Sequence, residues 1–148
     1  MCAEINAEFA IFPCDDRLRT YLKARGDKDI DPVEPDADAE YYDIRHINLS
    51  DMVPYVAKPD FIPGNCVPVT ETEGIKIDQV VVGSCSNGRL EDFRIVADLL
   101  KGKHIAKGVR MIITPASQRI YLQMIRTGIA ETLTEAGCVI TNATCGCC

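Results

Sequence analysis

The sequence has no tryptophan, two histidines and few aromatic residues of any kind (6%). It also lacks an excess of basic residues, since 16 Lys and Arg stand against 22 Asp and Glu. A nucleic-acid-binding surface needs clustered Lys and Arg to displace counterions, so the net charge of −6 argues against such a partner. No apolar run approaches the length of a membrane span, and no charged-then-apolar leader is visible. These absences predict a soluble, cytoplasmic protein with no nucleic-acid and no membrane partner.

Cysteine is the residue that the sequence has in plenty. The eight cysteines are Cys2, Cys14, Cys66, Cys85, Cys138, Cys145, Cys147 and Cys148. A disulfide framework is typical of small secreted chains, whereas 47% hydrophobic residues suffice for a globular core of its own. Metal or redox chemistry is therefore the favoured role for the cysteines.

Two breaks divide the chain. Gly26–Glu40 is acidic and contains prolines, which predicts a solvated loop, and Lys58–Glu73 carries enough proline and glycine to predict a linker. We therefore expect residues 1–57 to be part of one α/β domain and residues 58–76 to be a linker. Residues 77–148 would then form the first part of the next α/β domain, which carries most of the cysteines.

The pattern of apolar residues predicts the elements of both parts. In the first part it predicts strands at Glu8–Phe12 and Tyr42–Leu49, and a helix that Asp15 or Asp16 caps. In the second part it predicts strands at 77–82, 109–114 and 138–141 and helices at 87–100, 117–127 and 130–136. Strands that alternate with helices indicate right-handed crossovers, so the predicted fold class is α/β, a parallel sheet with flanking helices.

The predicted topology brings distant cysteines together. Parallel strands all end at one edge of a sheet, where ligands gather. Cys85 follows the first of these strands, and Cys145 and Cys148 follow the third. We therefore expect the three cysteines at one rim.

The local motifs suit chemistry with thiolates. Gly83–Gly88 lies between a strand and a helix, where Ser86 or Asn87 can cap the helix. Cys145 and Cys148 form a C-x-x-C pair whose spacing lets two thiolates face one metal centre.

Three different kinds of cysteine site are compatible with these residues. A structural zinc site would need four ligands, with Cys147 as the fourth. A nucleophilic Cys85 would need a base, for which His46 and His104 are the available histidines. A thioredoxin-like redox pair would usually follow a first strand, whereas this C-x-x-C follows the third.

A family resemblance favours an iron–sulfur site over these three. Residues 83–93, Gly-Ser-Cys-Ser-Asn-Gly-Arg-Leu-Glu-Asp-Phe, resemble the cluster-loop signature of the aconitase superfamily, in particular of its 3-isopropylmalate dehydratase and homoaconitase large subunits. Residues 142–148 are similar to the second signature, in which C-G-P-C is usual. Residues 113–118 look like the family's strand-to-helix turn, and residues 1–21 resemble a stretch that carries an active-site Glu. The resemblance thus covers nearly the whole chain.

The resemblance implies a 4Fe–4S cluster that three cysteinates hold, with one iron open to substrate. By position the ligands are Cys85, Cys145 and Cys148, although Cys147 stands where the family usually has proline. Glu4 falls on the family's catalytic carboxylate, with a surface carboxylate as the alternative. The resemblance implies that Ser86, Asn87 and Arg89 lie around the cluster and adjust its properties. The alternative is that Ser86 or Asn87 only caps the helix and that Arg89 is a solvent-exposed helix residue.

The implied activity is that of a hydro-lyase, in amino-acid and specifically leucine biosynthesis if the substrate is 3-isopropylmalate. Homocitrate and citrate are equally compatible substrates, and a small, swivel-domain subunit is the implied partner. Because the family's other site residues are absent, we expect a fragment that is inactive alone. The alternative from a different class is a non-catalytic metal-binding or cysteine redox-sensor module. The acidic charge disfavours the RNA binding that some relatives show.

Overall fold

The computed structural model describes residues 6–26, 31–60 and 64–146. The chain divides into two compact units, Met1–Glu73 and Gly74–Cys148. The boundary between the units falls inside the segment expected to be a linker.

The first unit consists of short elements. Helix α1 (Asp16–Lys23) begins after Asp15, whose carboxylate accepts a hydrogen bond of 2.8 Å from the backbone N–H of Leu18. Strands β1 (Tyr55–Ala57) and β2 (Cys66–Pro68) pair in antiparallel register. The described residues of this unit also form two short 3-10 helices, Leu49–Asp51 and Val69–Thr72. The expected cap at Asp15 is therefore present.

Two strands predicted for the first unit do not form. Glu8–Phe12 is irregular, and Tyr42–Leu49 is irregular until the 3-10 helix begins at its last residue. A strand is stable only when it pairs with another strand and buries one face, and here Phe9 is 85% exposed and Tyr42 is fully exposed. The predicted linker is partly ordered as well, since β2 and the second 3-10 helix lie within it.

The second unit alternates strands and helices. In chain order its elements are β3 (Gln79–Gly83), α2 (Ser84–Asn87), α3 (Leu90–Leu100), β4 (Arg110–Thr114), α4 (Gln118–Arg126), α5 (Ile129–Glu135) and β5 (Val139–Ile140). The strands form one parallel sheet in the order β3-β4-β5. The predicted α/β fold, a parallel sheet with flanking helices, is confirmed.

Apolar side chains between the sheet and the helices form the core of this unit. The largest fully buried apolar side chains are those of Phe93, Ile113, Met124 and Leu133. They come from α3, β4, α4 and α5, and α5 contacts both other long helices. Packing of this kind fixes the sheet on which the cysteine loops stand.

The start of α3 differs from the expectation. Ser86 and Asn87 do not cap the long helix, because both residues belong to the separate helical turn α2. Asp92 performs the capping instead, since its carboxylate accepts a 2.9 Å hydrogen bond from the backbone N–H of Arg89. In the part of the chain that the structure describes, no helix has the length and apolarity that crossing a membrane requires.

Candidate functional site

The three parallel strands end at the same edge of the sheet. Gly83, the last residue of β3, is paired with Thr114, the last residue of β4. Ile140, the last residue of β5, is paired with Ile113. Cys85 lies two residues after the end of β3, in α2, and Cys145 lies in the loop after β5.

The structure makes Cys85 and Cys145 neighbours. After the Ser86 hydroxyl, a side-chain hydrogen bond with Cys145 is among the causes that lower the pKa of the Cys85 thiol. The Cys85 Sγ also lies 3.9 Å from the Ser86 hydroxyl oxygen. Two thiols that are 60 residues apart in sequence are thus neighbours at the carboxyl edge of the sheet.

The surroundings of Cys85 favour its thiolate. The Ser86 hydroxyl contributes most to a lowered pKa of Cys85, and hydrogen bonds from Cys145, the local backbone and Ser84 act in the same direction. Desolvation opposes them but does not cancel them. Because the thiolate is the form that binds metal, this environment prepares Cys85 to act as a ligand.

The loop that carries Cys85 depends on glycine at position 83. Gly83 has φ +128°, and a Cβ atom there would lie 2.0 Å from the carbonyl oxygen of Thr114. No side chain fits in that space, so only glycine lets the chain turn this close to β4. Ser84 follows with a left-handed φ of +67° and is buried.

The loop that carries Cys145 rests on the same residue of β4. Gly146 has φ +67°, and a Cβ atom there would lie 3.2 Å from the Thr114 Cγ2. The turn after β4 also holds the end of α2, since the Gly88 carbonyl accepts a 3.0 Å hydrogen bond from the backbone N–H of Ala116. Both cysteine loops are therefore supported by the residues at the end of β4.

Sequence reasoning did not identify Thr114 as part of the site. Thr114 is 1% exposed, and its Oγ1 lies 3.0 Å from the Oγ1 of Thr141. The strand-to-helix turn at 113–118 was a signal for this region. The pairing of the two hydroxyls could not be predicted, because it depends on the register of β4 with β5.

Other polar residues divide between the two edges of the sheet. Ser86, Asn87 and Arg89 are exposed and lie at the edge where Cys85 lies. His104 lies in the loop that leads into β4, which is the opposite edge, and His46 belongs to the first unit. The position of His104 excludes it as the base for a nucleophilic Cys85 in this arrangement.

The described residues supply two of the three predicted cluster ligands. Glu4, Cys147 and Cys148 lie outside the described residues. Within residues 6–26, 31–60 and 64–146, no three His, Cys, Asp or Glu side chains are grouped so that they could hold a metal ion. Two neighbouring cysteine thiols, one with a lowered pKa, nevertheless match the thiolate donors that iron–sulfur clusters use.

Comparison with known proteins agrees with the resemblance of the cysteine motifs. Residues 65–148 match the model of the family described as "Aconitase family (aconitate hydratase)". The chain is 47% identical over 146 residues to the 3-isopropylmalate dehydratase large subunit of Mycolicibacterium smegmatis, a match that covers 99% of this chain and 35% of that protein.

Two further relatives carry the same kind of name. The chain is 48% identical over 148 residues to the 3-isopropylmalate dehydratase large subunit of Lachnoclostridium phytofermentans, covering all of this chain and 35% of the relative. It is 44% identical to large subunit 1 of the same enzyme from Methanopyrus kandleri, with the same coverage. The chain thus spans about a third of the length of these curated relatives. With more than half of its residues matched by the family model, the chain belongs to the aconitase family.

Proposed function

We propose that this chain is the cluster-bearing part of an iron–sulfur hydro-lyase. The whole enzyme would dehydrate and rehydrate a hydroxy polycarboxylic acid in the cytoplasm. The names of the relatives favour 3-isopropylmalate, and hence leucine biosynthesis, over homocitrate and citrate. The placement of Cys85 and Cys145 at the same carboxyl edge of the parallel sheet is the observation that carries the proposal.

The ligands would be Cys85, Cys145 and Cys148. When bound, a 4Fe–4S cluster with an open iron supplies a Lewis acid for the hydroxyl and carboxylate of the substrate. Glu4 would take or give the proton next to the leaving hydroxyl. Ser86, which already lowers the pKa of Cys85, would donate its hydrogen bond to the ligating sulfur.

The chain's own loops would keep the thiols in place. Gly83 and Gly146 let both loops approach Thr114. The two cysteines are therefore close together before a ligand binds, and the loops need not rearrange to bring them together. This preorganisation lowers the entropic cost of binding a group that both cysteines hold.

The choice of ligands can be tested by anaerobic reconstitution with ferrous iron and sulfide. We expect the parent chain to take up roughly four iron and four acid-labile sulfide. C85S, C145S and C148S should lose most of both, as measured by elemental analysis and visible absorbance. C147S and C66S are the matched controls, since Cys147 neighbours a ligand and Cys66 lies in the first unit. If C147S lost as much as C148S, the proposed ligand set would be wrong.

The reaction can be tested with a chimera. This chain would replace the matched 146 residues of the M. smegmatis large subunit, which would then be assayed with its small subunit for formation of the unsaturated acid. We expect turnover of 3-isopropylmalate, lost in the C85S chimera. A chimera that is inactive while the unmodified M. smegmatis enzyme is active would count against the proposal.

The isolated chain should behave differently from the chimera. Mixed with a purified small subunit and 3-isopropylmalate, it should give no turnover, because it spans about a third of its relatives. Sustained turnover would contradict this expectation.

The second candidate is a non-catalytic metal-binding or redox-sensor module. The same pair of neighbouring thiols, one with a lowered pKa, favours it. Binding of one zinc per chain without sulfide would support this candidate and would count against the hydro-lyase.

A further inference from the structure

Thr114 contacts both cysteine loops at once. Its backbone carbonyl occupies the space that a Gly83 side chain would need, 2.0 Å from the ideal Cβ position. Its side chain lies next to Gly146: Cγ2 and Oγ1 are 3.2 Å and 3.4 Å from the ideal Cβ position of Gly146. The main chain of Thr114 thus adjoins the Cys85 loop, and its side chain adjoins the Cys145 loop.

The Thr114 side chain is held by a hydroxyl pair. Thr141 follows β5, and its backbone N–H donates a 2.9 Å hydrogen bond to the carbonyl of Ile113. The Thr141 Oγ1 lies 3.0 Å from the Thr114 Oγ1 and 3.1 Å from the carbonyl oxygen of Asn142. Each hydroxyl has one proton, so both are satisfied when Thr114 donates to Thr141 and Thr141 donates to the carbonyl.

This hydroxyl pair connects the end of β4 to the start of the segment that leads to Cys145. Thr114 is 1% exposed, so water does not compete for its hydroxyl. Among the described residues, Thr141 is its side-chain hydrogen-bond partner. The pair therefore fixes the segment after β5 relative to the Cys85 loop, which the Thr114 backbone adjoins.

We propose that the Thr114 hydroxyl is a positioning group that sets the separation of Cys85 and Cys145. That Thr114 positions the two cysteines follows from the geometry alone. That Thr114 thereby affects the uptake of a metal group held by both cysteines rests on the proposed function. Thr114 itself touches neither substrate nor cluster in this proposal.

The separation of the thiols can be measured by equilibrium with glutathione. In the full chain with its other cysteines replaced by serine, Cys85 and Cys145 are oxidised to a disulfide while one glutathione disulfide is reduced to two glutathione thiols. The equilibrium constant gives the effective concentration of one thiol at the other. We expect T114V, which keeps the branched shape and loses the hydroxyl, to lower it about five- to tenfold, as one lost hydrogen bond predicts.

Two variants control this measurement. T114S restores the hydroxyl and should stay within about twofold of the parent, since the hydrogen bond is retained. T132V makes the same change at a half-buried hydroxyl that bonds inside α5, 3.2 Å from the Gly128 carbonyl oxygen, and should have no effect. An effective concentration in T114V equal to the parent's, or equal losses in T114V and T132V, would overturn the proposal.

Iron and sulfide uptake, measured with the native cysteines, separates this proposal from the proposed function. Reduced uptake by T114V together with a lower effective concentration supports both. A lower effective concentration with unchanged uptake upholds the positioning and shows that Cys85 and Cys145 do not hold the cluster together.

Discussion

Replacing Gly83 with alanine should be among the most damaging single changes to the second unit. The new methyl group would lie 2.0 Å from the Thr114 carbonyl oxygen and within 2.9 Å of the Thr114 backbone nitrogen. A positive φ of this kind costs a residue with a side chain about 1–3 kcal/mol. Overpacking against atoms that cannot rotate away costs about 1–3 kcal/mol more. We therefore expect the free energy of unfolding to fall by about 4 kcal/mol.

Gly137→Ala is the matched control for this prediction. Gly137 also has a positive φ, +90°, but no atom lies within 4 Å of its ideal Cβ position. This substitution should cost only the conformational strain, about 1–2 kcal/mol. Urea denaturation followed by far-ultraviolet circular dichroism would give both values. If the free energies of unfolding of the two variants differed by less than about 1 kcal/mol, the steric clash with Thr114 would not contribute the destabilisation expected here.

Two further predictions concern the core. Phe93→Ala removes a fully buried side chain and should destabilise the second unit by about 3–5 kcal/mol in the same denaturation assay. Ile95→Ala on the same helix, 62% exposed, should cost less than about 1 kcal/mol, and equal effects would contradict the described packing. Burial raises the pKa of the Cys138 thiol in the folded chain above its value in the unfolded chain. The contribution of this thiol to the free energy of unfolding is therefore complete at pH values below the unfolded pKa. It is lost as the pH rises through the folded pKa. Stability measured between about pH 8 and 10 should therefore decline more steeply in the parent than in Cys138→Ala, and parallel curves would refute the assignment.

The second unit could be predicted well because its signals are local. Residues 80–82 are three valines followed by a glycine, and Ser117 precedes an apolar helical pattern. The Ser117 hydroxyl accepts the hydrogen bond from Ile120 that such a pattern predicts, at 3.3 Å. Alternation of strands and helices then leaves few topologies, of which the parallel sheet is one.

The first unit could not be predicted from the same signals. Glu8–Phe12 is as apolar as a strand, yet Phe9 and Phe12 are 85% and 75% exposed. Apolar content indicates that a segment can be buried, and it carries no information on whether a partner strand is present. The strands that the structure describes in this unit, β1 and β2, are three residues each and too short to show a periodicity.

The candidate site divides in the same way. Cys85 and Cys145 could be predicted to share an edge, because that follows from the order of strands alone. The contact between Thr114 and Thr141 could not be predicted. The two residues are 27 positions apart in sequence and meet only because Ile113 pairs with Ile140. Register of this kind is set by side-chain packing across the whole sheet.

The position of β5 has a consequence for biosynthesis. The ribosome releases Cys85 with the first strand of the sheet, well before the segment that carries its neighbouring thiol. Domains generally fold as units during synthesis, and here the unit is incomplete until β5 pairs with β4. During that interval the Cys85 thiol, which is exposed in the folded chain, lacks its neighbour Cys145 and is open to oxidation. A group that needs both thiols can therefore bind only after the residues that follow β5 have emerged.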